Sequence, residues 1–299
     1  ARNPGLPFVW LGWGYDYYDL IVRRESELHL PKTNALLYSD GRLLTKRLRK
    51  KAKSFISQGK EQEKLSAIKN ITTLALGFEE EYTLLKQALP FAPPQYMSWK
   101  YGAVESMVGS LLGQTVNGTD VLVGNSATSS SNHIEAFELL AQRIEPGRRV
   151  VVPLSYGDKR YGKAILKRGP EILGNQFVPL VDFIPLPEYI ETIRSCGFVI
   201  MNHIRQQAVG SIITMLHLGA KMFLREESPT YQFLKRIGAL VFTVQQLERD
   251  PSLMHSLLTE GQIQHNRAVL GAHWSRAVVD AETMKLIEVA LQRSVAYAG

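Results

Sequence analysis

His203, Arg205, Gln206 and Gln207, followed closely by Gly210 and Ser211, gather polar side chains and a glycine into the nine-residue stretch HIRQQAVGS. Such a stretch suits a phosphate. An arginine offers bidentate contacts to phosphate oxygens, and a histidine beside it adds a second polar group. The flanking elements say where the stretch sits. Upstream, Gly197 to Met201 reads GFVIM, a short continuous apolar run typical of a buried parallel strand. Downstream, Ile212, Ile213, Leu216 and Leu218 fit one broad helical face. The stretch therefore lies at a strand's carboxyl end, where the next helix presents unpaired N–H groups and its positive dipole end to an anion.

Other loops in the same half of the chain occupy equivalent places. Gly124, Asn125 and Ser126 open GNSATSSSN between a strand and a helix. Its small residues let a ligand approach the backbone, and Ser131 or Asn132 can cap the helix that follows. Turn and capping needs alone also produce such a loop. It is neither a P-loop nor a GxGxxG fingerprint, which counts against a kinase or an ordinary NAD enzyme. Tyr156, with Gly157, ends the next strand and is placed either to stack on a base or to sit on the rim. In Arg225-Glu226-Glu227-Ser228-Pro229, Glu226 is placed to accept hydrogen bonds from ribose or sugar hydroxyls; the alternative is charge complementarity to the next helix, capped by Ser228. Near the start, WLGWGYDYYD sets Asp16 after a strand and two glycines, either as a general base facing a cleft or as a turn cap. His133 reads as a packed or surface histidine. No metal-ligand spacing, G-x-S-x-G motif or convincing Cys–His pairing is present.

The elements that position these residues alternate regularly. From Asp120 onward, six apolar strand-like runs alternate with helix patterns, ending with ALVFT and the helix after it, which implies a parallel sheet covered on both faces. The first part is less regular. It has an aromatic run at Phe8 to Trp13, ITTLAL at Ile71 to Leu76, a helix candidate at Glu79 to Leu89, and Pro90, Pro93 and Pro94 as a natural break. The organisation expected is α/β in two domains, 1–118 and 119–299. A final helix over about Ala281 to Ala296 crosses back to the first.

The chain has 299 residues, one cysteine and a formal charge of +7. A lone Cys196 permits no intrachain disulfide and suits a reducing compartment. The longest apolar candidate, Ser211 to Leu224, is broken by His217, Gly219 and Lys221, too short for a membrane span. The opening ARNPG enters strand-like sequence at once, as a fragment or processed product does. Charge concentrates in Arg42, Lys46, Arg47, Arg49, Lys50, Lys51 and Lys53, a basic helix candidate with Leu43, Leu44 and Leu48. It suits an anionic membrane surface or a solvated face. The interleaved aromatic and basic residues of a nucleic-acid platform are absent.

Taken together, VLVGNSATSSSNHIEAFELL, VVVPLSYG, RQQAVGS, FLREESP and the early WGYDYYD resemble the 4-acetamido-4,6-dideoxygalactose transferases of glycosyltransferase family 56, in order and spacing and over nearly the whole chain. The resemblance implies a GT-B architecture of two facing Rossmann-like domains, the N-terminal one incomplete. It implies an inverting transferase without metal or cofactor, taking an N-acetylfucosamine-type sugar from a dTDP donor. The implied acceptor is an undecaprenyl-diphosphate-linked saccharide of enterobacterial common antigen at the cytoplasmic face of the inner membrane, with no nucleic-acid partner. Donor contacts carried over are Gly124, Asn125, Ser126, Tyr156, Arg205, Gln206, Gln207, Gly210 and Glu226. Asp16 becomes the candidate base, and Arg205 the group that stabilises the departing diphosphate. Ala208 stands where the family tends to have glycine, and REESP is one residue longer than the family's RENP, so Glu226 and Glu227 can exchange roles. A non-catalytic or truncated nucleotide-sugar-binding module is the alternative reading.

Overall fold

Short apolar runs become parallel strands where a helix follows each to cover the sheet. The computed structural model describes residues 7–39, 61–182 and 184–298. The first sheet is parallel in the order β1 (Phe8–Leu11), β2 (Ile71–Leu76), β3 (Gln95–Ser98). The second is also parallel and contains β4 (Val121–Val123), β5 (Val150–Pro153), β6 (Phe177–Leu180), β7 (Phe198–Met201), β8 (Lys221–Leu224) and β9 (Phe242–Thr243). Its order is β6-β5-β4-β7-β8-β9. The strand order reverses between β4 and β7, so a crevice opens beyond their carboxyl ends, the position where open α/β sheets bind ligands.

Alternation along the strands of the second sheet feeds two cores. Leu122, Val151, Val199, Met201, Met222 and Leu224 pack on one face. Val121, Val123, Val150, Val152, Ile200 and Phe223 pack on the other. The smaller sheet has its own core around Tyr17, Leu74, Leu76 and Leu85.

Helices tie the sheets together. Ahead of the second sheet run α1 (Tyr18–Ile21), α2 (Pro31–Ser39), α3 (61–69), α4 (Glu79–Ala88) and α5 (Val104–Val108). Around it lie α6 (His133–Ala141), α7 (Lys159–Leu173), α8 (Leu186–Arg194), α9 (Val209–His217), α10 (Pro229–Arg236) and α11 (Val244–Arg249), and the chain closes with α12 (Glu260–Trp274) and α13 (Arg276–Ala298). The α2 helix leaves the first sheet and docks on α6. There the Glu135 carboxylate accepts from the backbone N–H groups of Lys32 and Thr33, both at 2.8 Å, and satisfies donors that a helix start leaves open. Phe78, just past β2, stacks on Phe233 at 4.6 Å within the other sheet's core. From the far end α13 returns: Glu282 accepts from Lys100 at 2.5 Å and from Ser98 at 2.8 Å, beside β3.

One expectation needs correction. Pro90, Pro93 and Pro94 do not end the first sheet, because β3 starts directly after Pro94 and pairs with β2. Proline lacks a donor for the ladder but is tolerated at a strand's entry. The basic run Arg42 to Lys53 lies outside the described residues. Among the described residues, no helix is long and apolar enough to cross a membrane.

Candidate functional site

The loops after β4, β5 and β7 meet at the crevice and are stitched by side-chain amides. Gly124 has φ +67°, and a Cβ there would come within 2.7 Å of His133 Nε2, so this turn needs glycine. Next to it, Asn125 Nδ2 donates to the Tyr156 hydroxyl at 2.7 Å, and Asn125 Oδ1 accepts from Gln207 Nε2 at 2.8 Å. Gln207 also donates to Thr128 Oγ1 at 2.9 Å and accepts from Ser130 Oγ at 2.6 Å. Ser126 is buried beneath, in hydrogen-bond contact with Thr128. Three adjacent strand ends thus share one network, with Gln207 at its centre.

The turn from β7 into α9 carries the positive charge. Ala208 takes the left-handed conformation at φ +60°, ψ +25° and caps α9. A glycine would adopt that shape without the Cβ penalty of roughly 1–2 kcal/mol, which gives a physical meaning to the departure at this position. Arg205 is buried; its Nη1 donates to the Gln206 carbonyl at 2.8 Å and its guanidinium lies 5.2 Å from the Tyr15 ring. Gly210 and Ser211 fall in the first turn of α9, where backbone donors face outward.

His203 lies beneath the turn rather than at its surface. It is only 2% exposed, and burial, reinforced by Arg205 and His133, holds it well below the usual histidine range, so the ring is neutral and packed under the turn. His133 is likewise buried and neutral, pushed down to about 3 by desolvation, with Nδ1 3.1 Å from the Tyr161 hydroxyl. Burial raises Cys196 to about 12, which rules it out as a thiolate nucleophile near neutrality.

Facing this wall are the carboxyl ends of β1, β2 and β3. A cavity of about 110 Å³ runs between them and the start of α9, lined among others by Gly12, Trp13, Gly77, Tyr101, Gln206 and Val209. Trp13 stacks on Tyr101 at 4.6 Å. Gly14 lies against the end of the Gln206 side chain, so a Cβ there would displace the Gln206 amide. Asp16 is exposed at the end of this turn. Its Oδ2 accepts from the Trp13 N–H at 3.0 Å, and its carbonyl accepts from Lys64 at 2.8 Å. Through Oδ2 the carboxylate closes the aromatic turn, while the side chain stays exposed to solvent.

Sequence reasoning missed a second carboxylate. Glu81 on α4 is 1% exposed, accepts from the Tyr18 hydroxyl at 3.1 Å, and is pushed up to about 8 by burial, against the opposing pull of the neighbouring tyrosines and Arg205. The same Tyr18 oxygen accepts from the Gln206 N–H at 2.9 Å. A buried acid packed on the first sheet thus reaches the turn between β7 and α9 through one tyrosine. The run Glu79-Glu80-Glu81 hid it, since three acids at a helix start also read as dipole complementarity.

After β8, Glu226 and Glu227 separate clearly. Glu227 is engaged by Arg225 at 2.8 Å and Gln245 at 2.7 Å, and these partners hold its carboxyl below the usual range against desolvation. Glu226 accepts from Thr243 Oγ1 at 3.1 Å and is exposed. Among the described residues, no group of three His, Cys, Asp or Glu side chains is arranged to hold a metal ion.

The family described as 4-alpha-L-fucosyltransferase, glycosyl transferase group 56, matches residues 105–268, more than half of the chain. Among solved structures, a sucrose-phosphate synthase from Thermosynechococcus elongatus is similar with TM-score 0.57 and 11% identity, over 95% of this chain and 67% of that one. Anabaena HepE in complex with UDP-glucose gives TM-score 0.58 and 12% identity, over 74% and 65%. A UDP-forming trehalose-phosphate synthase from Burkholderia vietnamiensis gives 0.57 and 9%, over 80% and 64%. The chain spans about two thirds of the length of these structures. The fold they share is GT-B: two parallel-sheet units facing each other across a cleft.

Proposed function

The chain belongs to the 4-alpha-L-fucosyltransferase family, glycosyl transferase group 56, and from that premise we propose that it moves a 4-acetamido-4,6-dideoxyhexose from a dTDP-sugar to a polyprenyl-diphosphate-linked saccharide, working peripherally at the cytoplasmic face of a bacterial inner membrane. The observation that carries the reading is the meeting of strand ends. The carboxyl edges of β1, β2 and β3 close on the turn that starts α9 across one cleft, and the same turn carries a buried arginine, Arg205, whose guanidinium lies 5.2 Å from the Tyr15 ring. A nucleotide diphosphate suits such a wall, because N–H groups and a guanidinium bind phosphate oxygens in complementary ways.

In this reading Arg205 and the first turn of α9 stabilise the charge that develops on the leaving diphosphate. Asn125, Tyr156, Gln206, Gln207 and Glu226 orient the nucleoside and sugar. The acceptor hydroxyl attacks the anomeric carbon from the face opposite the diphosphate. A new C–O bond forms, and the bond to dTDP breaks with its electron pair leaving on the diphosphate. The hydroxyl proton passes to Asp16, which stands exposed at the cleft's aromatic turn, whereas Glu81 is sealed from solvent. The configuration at the anomeric carbon inverts. No metal is required where the arginine and helix dipole carry the leaving-group charge.

The test is a transfer assay with dTDP-4-acetamido-4,6-dideoxygalactose and a polyprenyl-diphosphate-linked acceptor, following dTDP release and product anomer together. Equal release and transfer with an inverted product is expected, and Asp16→Asn is expected to lower kcat by roughly 10²–10⁴, the range for loss of a general base. Full activity in Asp16→Asn overturns the base assignment. Donor binding without transfer in any condition overturns the enzyme reading in favour of a binding module.

A further inference from the structure

On the opposite side of the second sheet from α9, α7 carries a charge pattern that its own stability does not explain. The side chain of Asp158 caps the helix by accepting from the N–H groups of Arg160 at 2.7 Å and Tyr161 at 3.1 Å. The first turn then holds Lys159 and Arg160 and no acid, although the positive end of a helix dipole favours acids there. Tyr161, Gly162, Ile165, Gly169 and Leu173 are the buried face. Arg160, Lys163, Lys167 and Arg168 fall at helical spacing on the other face and line a groove with Leu36 and Ser39 of α2. Of the ion pairs described, the one on this stripe joins Arg168 to Glu171 at 2.5 Å; Lys163 and Lys167 are exposed. From Arg160 to Lys167 the stripe runs about 10 Å along the axis.

We infer that this face of α7 docks on an anionic lipid bilayer. The inference rests on the membrane-bound acceptor of the proposed function and says which surface meets the lipid. Charge complementarity names the occupant: basic residues near an anionic leaflet each contribute attraction that salt screens. Continuity supports it, because Ser39 at the groove is followed three residues later in the sequence by the basic run that starts at Arg42. The stripe also begins next to the cleft, since α7 starts two residues after Gly157, in the loop that carries Tyr156. A bilayer on this face holds a lipid-linked saccharide beside the cleft mouth. A nucleic-acid surface fits less well, as no aromatic ring on the stripe offers a stacking platform.

The experiment is sedimentation of the whole chain with vesicles of phosphatidylcholine, with and without phosphatidylglycerol, for wild type and for Arg160→Glu/Lys163→Glu/Lys167→Glu. Wild type is expected to bind the anionic vesicles only, with binding lost at high salt. The triple variant is expected to bind roughly tenfold or more weakly while keeping its Tm and its thermal shift with dTDP-sugar. Undiminished binding by the variant overturns the assignment to α7, whatever the Arg42 to Lys53 run contributes. Equal binding to neutral vesicles, no binding by wild type, or tighter retention on single-stranded RNA than on anionic vesicles also overturns it. The dTDP-sugar shift in the same samples reports separately on the nucleotide-sugar reading.

Discussion

On the six-stranded side of the cleft, Gln207, Asn125, Thr128 and Ser130 satisfy one another through hydrogen bonds of 2.6 to 2.9 Å, all between neutral groups. On the three-stranded side, the contact to the same turn passes through Tyr18 to Glu81, a buried acid whose proton is held to about pH 8. The first wall is set before any ligand arrives, since each amide there already has its partner. The second wall depends on the protonation state of one group. Damage to the neutral network therefore shows in affinity and stability at any pH, whereas changes at Glu81 show as altered pH dependence.

The largest effect that sharpens this contrast is at Arg205, where the two walls meet. Arg205→Ala removes the guanidinium that lies over the Tyr15 and Tyr18 rings and is expected to lower kcat for transfer by roughly 10²–10³. Steady-state kinetics with dTDP-sugar measures it, and a loss confined to acceptor KM contradicts the role. Gln207→Ala comes next. It strips a partner from Asn125, Thr128 and Ser130 together and is expected to destabilise the fold by about 1–3 kcal/mol in urea unfolding, with weakened donor binding. An unchanged midpoint breaks the picture of a preset wall.

Glu81→Gln separates the walls by pH. Burial raises this carboxyl from 4.5 to about 8, so between those values the native state keeps a proton that the unfolded chain has released. Stability then falls as pH rises through that window. The Gln variant keeps an acceptor for Tyr18 and is expected to flatten this slope, a difference read from unfolding curves at pH 5 to 8. Parallel curves for both proteins contradict the assignment. The smallest effect is expected from Ala208→Gly, which relieves the left-handed turn at φ +60° at the cost of added backbone freedom; a gain of at most about 1 kcal/mol is expected. Destabilisation by this change indicates that the Ala208 methyl has a packing role outweighing its strain.

Much of the second sheet was legible because its strands are unbroken apolar runs such as VLV, VVVP and FVIM, each followed by a helix pattern, and a parallel sheet buried on both faces selects for that composition. The loops GNS, SYG and RQQ could be grouped from topology alone, since parallel strands put their carboxyl ends on one edge. The strand β3 was not legible. QYMS is four residues with no buried position, and the prolines before it read as a boundary. Glu81 escaped because what distinguishes it from Glu79 and Glu80 is tertiary: only Glu81 turns into the core beside Tyr18. His203 groups with the ligand loop through its neighbours in sequence, but tertiary packing buries it at the end of a strand enclosed on both faces.

Equilibrium binding of dTDP-sugar, followed by thermal unfolding of wild type and Arg205→Ala, tests the central claim most directly. At a hundredfold excess over Kd, wild type is expected to gain on the order of 2.7 kcal/mol of stability, most of it lost in the variant. No stabilisation of wild type by any dTDP- or UDP-sugar, or an equal gain in both proteins, contradicts a donor site built on the start of α9.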